Sequence, residues 1–145
     1  MKKIAIGIVM VAASFASLAQ ETPGTRVDPT YGCLEKMARE ARLAVIADKV
    51  ALSHGPSVKT VRGLDRSANA EERAAVAAWL DRREQCFAAG EYYRFMVLTP
   101  QEHLAVYQSF EFQQRLLVNL EQGRMSYVQF NRRRLELTEG LYWGI

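Results

Sequence analysis

Hydrophobic positions in this chain recur mostly three and four residues apart, the period of an α-helix. Leu34, Met37, Ala38, Ala41, Val45 and Leu52 predict a first helix over about 31–53, closed by Gly55-Pro56. Residues 54–68 then read as a loop, with Gly55, Pro56, Ser57, Gly63 and Ser67; Val58, Val61 and Leu64 are spaced for one helical turn inside it. Asn69 followed by Glu72 has the spacing of a capping box and opens a second helix. Val76, Trp79, Leu80, Arg83 and Phe87 share one of its faces, and Gly90 terminates it. Residues 91–98 hold Tyr92, Tyr93, Phe95, Met96 and Val97, either as a helical extension or as an apolar connection.

Thr99-Pro100-Gln101-Glu102 is a helix start of the same kind, with a Thr cap, Pro at the first helical position and Glu at the third. The third helix runs to about Gln122, and Gly123 supplies its C-terminal stop. Leu104, Val106, Tyr107, Phe110, Leu116, Leu117, Val118 and Leu120 cover roughly 200° of its circumference at 100° per residue. An arc that wide needs neighbours on two sides, from a central place in a bundle or from a partner chain. Glu111 and Arg115 pair on the remaining polar face. Ser126 and Gln129 cap the last helix, Met125 and Phe130 are spaced as a hydrophobic staple, and Leu137 and Leu141 continue the stripe. No run alternates with the period of a strand. The expected fold is all-α, a four-helix bundle-like arrangement of two antiparallel hairpins.

The N-terminus changes the charge argument. Lys2 and Lys3, the uncharged apolar run over residues 4–13 and the small residues ending in Ser17-Leu18-Ala19 form a cleavable signal-peptide pattern. The apolar run is shorter than the roughly 20 residues a membrane span needs. The expected organisation is a signal peptide over 1–19, a flexible lead-in with Pro23, Gly24 and Pro29 over 20–30, and one helical domain over 31–145. The expected location is the periplasm, with secretion as the alternative, and no stable membrane insertion after cleavage. Of the 19 Lys and Arg residues, Lys2 and Lys3 leave with the signal; the remaining 17 stand against 16 Asp and Glu, a net charge of +1. A nucleic-acid partner calls for a concentrated basic surface and is not expected. Arg132-Arg133-Arg134 spread around a helix and read as a solvated face. Cys33 and Cys86 are the two cysteines. In an exported chain an even number favours a disulfide, and the two lie at ends that meet in an antiparallel hairpin.

Candidate chemistry is sparse. His54 and His103 belong to no metal-ligand spacing, so no metal is expected, and neither phosphate-cradling glycine loops nor a nucleophile elbow occurs. Glu71-Glu72, Glu136 and Glu139 read as helix-start or solvated carboxylates, and Asp81 and Glu84 beside Trp79, Arg82 and Arg83 as helix-surface pairs. No catalytic residue and no cofactor are assigned.

Four resemblances bear on function. Leu117, Leu120, Gly123, Met125, Ser126, Gln129 and Phe130, followed by Arg132 to Arg134 and Leu135, resemble the SHOCT-type C-terminal helical hairpin, whose pattern has Ile, Thr and Glu where this chain has Met, Ser and Gln. That resemblance implies an oligomerisation or interaction module. Gly123, Ser126 and Asn131 with the two cysteines are similar to small exported all-helical proteins of proteobacteria. Leu98-Thr99-Pro100-Gln101-Glu102 is similar to the LTxxQ motif of periplasmic stress chaperones, with Glu at the fifth position. Trp79, Arg83 and Cys86 resemble a segment of lysozyme-inhibitor-like exported domains, one residue shorter before the cysteine.

After residue 19, 11 of the 13 aromatic residues follow Cys86. The expected function is a non-catalytic cell-envelope binding protein, with a protein partner or self-association through the aromatic-rich second hairpin. Trp79, Arg83, Tyr92, Tyr93, Phe95, Tyr107, Phe112, Tyr142 and Trp143 are the candidate contact residues. The alternatives are an inhibitor or immunity-type protein against a cell-wall enzyme, acting through Lys59, Arg62 and Arg66 or through residues 79–86; a periplasmic stress chaperone; and an enzyme of unknown type.

Overall fold

A computed structural model describes residues 27–52 and 64–140, with side chains up to 137. The signal pattern, His54, Gly55-Pro56, Lys59, Arg62, Leu141, Tyr142 and Trp143 lie outside the described residues. The described chain is all-α: α1 (Pro29–Met37), a 3-10 segment (Ala41–Ile46), α2 (Ala70–Ala89), α3 (Glu91–Val97), α4 (Pro100–Glu121) and α5 (Tyr127–Gly140). No helix among these residues is long and apolar enough to cross a membrane.

The first helix is shorter than its periodicity predicts. A continuous helix would place Leu43 on the face opposite Leu34, nine residues and 180° away. Instead α1 stops at Met37, and Glu40 adopts an extended conformation (φ −68°, ψ 129°). Its carboxylate accepts hydrogen bonds from Arg42 Nε at 2.7 Å and Arg82 Nε at 2.8 Å. Beyond that break Leu43, Ile46 and Val50 all enter the core beside Leu34 and Met37. The helix starts two residues earlier than expected, at Pro29, and Asp28 caps it by accepting from Thr30 N at 2.8 Å.

Other boundaries follow the sequence closely. Asn69 and Glu72 form a reciprocal capping box at α2, as do Thr99 and Glu102 at α4. Ser126 and Gln129 exchange the same two bonds at α5. Gly123 has φ +70°, the left-handed conformation that closes α4. Arg124 N then donates to Asn119 O at 2.8 Å, completing a Schellman turn.

Cys33 and Cys86 are joined in a disulfide, Cα atoms 5.2 Å apart. It ties α1 antiparallel to the C-terminal half of α2. In the chain-entropy account a loop of this size contributes about 4 kcal/mol. α4 returns antiparallel to α2, with Arg83 Nη2 donating to Gln113 Oε1 at 2.8 Å and Ser67 Oγ to Gly123 O at 3.2 Å. The wide apolar arc of α4 divides. Leu116, Leu117 and Leu120 lie in the core, whereas Leu104 in the first turns is exposed.

α5 closes the core with Phe130, edge-on to Trp79 at 6.0 Å. Arg134 is buried there, above Trp79 and Phe130 and donating to Ala51 O. It therefore departs from the expected solvated arginine face, which Arg132 and Arg133 keep; Arg133 pairs with Glu136 at 3.0 Å. Asn131 Nδ2 donates to Lys49 O at 2.8 Å, so α5 holds the chain that leaves the 3-10 segment. At the other end of α2, Arg66 grips the buried Glu72 carboxylate with two hydrogen bonds of 2.6 Å. Lys49 Nζ stands 3.6 Å from it. The hydrogen bonds from Arg66 hold that carboxyl down at about 2, well below its usual range.

Candidate interaction surface

The corner where α2 passes through α3 into α4 is built around one arginine. α3 spans only seven residues, Glu91–Val97, between Gly90 and the Leu98–Thr99 stop. Six of the seven are not cationic and three of its last four, Phe95, Met96 and Val97, are large and apolar. An isolated helix this short is unstable in water and needs tertiary support. Arg94 provides it. Its side chain is 1% exposed; Nη1 donates to Asp28 Oδ2 at 3.0 Å and to Thr30 Oγ1 at 2.7 Å, and Nη2 donates to the Phe87 carbonyl. That carbonyl belongs to the last turn of α2, where a cation also complements the helix dipole.

The guanidinium lies 3.8 Å from the Phe87 ring centre, and Phe110 stacks on Phe87 with centroids 3.8 Å apart. Tyr107 meets Phe87 edge-on at 5.0 Å and donates from its hydroxyl to Glu91 Oε1 at 3.3 Å. One side chain thus connects the cap of α1, the end of α2, α3 and the first half of α4. Gly90 makes the approach possible. A Cβ there would collide with Asp28 Oδ1 and Thr30 Oγ1.

With its arginine turned inward, α3 turns its apolar side chains outward. Tyr92 is 76% exposed and Phe95 75%, with Met96, Val97 and Leu104 also largely exposed. Tyr92, Phe95 and Met96 fall within one face at i, i+3 and i+4. An open hollow of about 440 Å³ lies beside them, lined by Ala88, Ala89, Glu91, Tyr92, Phe95 and His103. Large apolar side chains exposed beside a hollow mark a candidate binding site.

The candidate contact residues separate into groups. Tyr92 and Phe95 are on this face; Tyr93 and Tyr107 are half-buried at its base; Phe112 is exposed about two turns beyond Leu104. Trp79 and Arg83 are core residues, not surface ones. Trp79 is fully buried against Phe130, and Arg83 is buried beside Gln113 with Phe110 5.8 Å from its guanidinium. Burial pushes the Arg83 guanidinium down to about 9. With Cys86 in the disulfide, residues 79, 83 and 86 of the inhibitor-like segment all face inward. In the chaperone-like segment, Thr99 and Glu102 are bonded to each other in the α4 cap.

Sequence reasoning missed Met96 and Val97 as surface residues, and Arg94, Asp28 and Gly90 as the supports. The available signal was a lone arginine inside a short apolar run bounded by Gly90 and Thr99-Pro100. Among the described residues no three His, Cys, Asp or Glu side chains converge as metal ligands. No protein-family model, curated protein or solved structure matches this chain.

Proposed function

We propose that this chain is an exported, non-catalytic interaction protein of the cell envelope that binds a protein partner through the outer face of α3 and the adjoining first turn of α4. The observation that carries the reading is the inverted helix: Arg94 buried, Tyr92, Phe95, Met96 and Val97 in solvent. A connector needed only to join α2 and α4 gains nothing from exposing four large apolar side chains. Fixing them on a corner held by an ion pair and a nearby disulfide lowers the ordering cost of binding. Tyr and Phe on a preformed surface are also typical anchors of protein interfaces. The disulfide suits an oxidising compartment, and the signal pattern of residues 1–19 supports periplasmic location.

The double variant Tyr92→Ser/Phe95→Ser tests the reading. It is expected to keep the wild-type unfolding midpoint, because neither side chain is buried, and to lose the complex that the wild-type protein forms in native electrophoresis of envelope extracts. A variant that unfolds early, or one whose complex survives, contradicts the proposal.

A further inference from the structure

The same face has a one-sided electrostatic rim. Between Arg83 and Arg115 the only Lys or Arg is Arg94, which is buried against Asp28. Among the described residues of that stretch, the exposed charged side chains are carboxylates. Glu84 stands one turn before Ala88 on α2, Glu91 forms part of the wall, and Glu102 adjoins His103 in the first turn of α4. Asp81, a further turn back along α2, extends the stripe. Among the described residues none of these four is in a salt bridge, whereas Glu111, farther along α4, is paired with Arg115 at 3.3 Å.

Resting on the reading of this face as a binding surface, we infer that its occupant is a basic, apolar polypeptide segment of a partner protein, its apolar side chains on Tyr92, Phe95 and the hollow and its Lys or Arg side chains against Glu84, Glu91 and Glu102. Complementary potentials set partner choice and encounter rate. Like charges across an interface work against a pairing. Two copies of this chain meeting face to face would oppose their own carboxylates, and an anionic bilayer surface would be repelled by the same rim. The exposed aromatic rings add favourable sites for cations.

Two short synthetic helical peptides separate the outcomes. Both carry the same leucine face, one with Lys and the other with Glu on the polar face, and each is titrated against the disulfide-bonded protein lacking residues 1–19. The Lys peptide is expected to bind at least about tenfold more tightly, and to weaken with added salt. Glu84→Lys/Glu91→Lys reverses the preference with helical content unchanged. Equal binding of the two peptides, lost in both for Phe95→Ser, leaves the face as a binding surface and overturns the basic partner. Lys-peptide binding that is indifferent to Phe95→Ser places the contact elsewhere and overturns both. Sedimentation of the protein alone as a dimer that Phe95→Ser dissociates makes the occupant a second copy and likewise overturns the inference.

Discussion

Arg94, which is buried, and Asp28, which is partly exposed, are 66 residues apart in sequence and form an ion pair at 3.0 Å between Nη1 and Oδ2. Asp28 does two jobs with its two oxygens. Oδ1 caps α1 through Thr30 N, and Oδ2 holds Arg94. This pair is what allows α3 to keep its charge inside and its apolar face outside.

Arg94→Ala should therefore be among the costliest single changes in the chain. Breaking a fully buried pair typically costs about 3–5 kcal/mol; here the low end of that range is expected, because Asp28 is partly exposed and keeps its bond to Thr30 N. Arg94→Lys should recover only part of that, because an ammonium cannot serve Asp28, Thr30 and the Phe87 carbonyl in one plane. Urea unfolding gives the stability loss, and limited proteolysis should show cleavage appearing within α3.

Two glycines should respond in opposite directions to the same substitution. Gly90→Ala puts a methyl into Asp28 and Thr30 and should destabilise by about 1–3 kcal/mol, a typical cost of overpacking. Gly32 lies within α1 with open space around its missing Cβ. Gly32→Ala should stabilise by up to about 1 kcal/mol through helix propensity. Thermal unfolding of the two variants side by side checks the pair.

Acid should weaken the other end of the molecule first through Glu72. Its folded carboxyl is held at about 2, below the ordinary 4.5, chiefly by the hydrogen bonds from Arg66. The depressed value means its contribution is fully present above pH 4.5 and fades as pH falls from there toward 2. That contribution is on the order of 2 kcal/mol, reduced by the partial exposure of Arg66. In Glu72→Gln the dependence of stability on pH over this window should be shallower than in the wild type.

Reducing the Cys33–Cys86 bridge should lower stability by about 4 kcal/mol. Cys33→Ser/Cys86→Ser should match the reduced wild-type protein, which distinguishes the bridge from any effect of the reductant. Denaturant midpoints with and without reductant provide the comparison.

Local chemistry made much of this architecture readable. Asn69 with Glu72, Thr99 with Glu102 and Ser126 with Gln129 are each three residues apart, so their capping bonds are written in adjacent sequence. Gly123 marks its own turn. The cysteines and the helical spacing supported one another in placing the first hairpin. What stayed hidden depends on distant partners. The break at Glu40 needs Arg82, 42 residues on, and the inversion of α3 needs Asp28. Arg83 and Trp79 read as surface candidates because an arginine and an indole on a helix are ambiguous. Gln113 from α4 and Phe130 from α5 decide that they are core. Aromatic content pointed to the second half of the chain, but the exposure of Tyr92 and Phe95 depended on the burial of Arg94.

Photo-crosslinking in the intact envelope reads out directly whether the outer face of α3 binds a protein partner. A photoreactive phenylalanine analogue is placed at Phe95, and separately at Arg132, which is exposed on α5. A discrete crosslinked protein adduct is expected from position 95, absent from position 132 and abolished by Tyr92→Ser in the same chain. Absence of any adduct at position 95, or the same adduct from both positions, would contradict that binding.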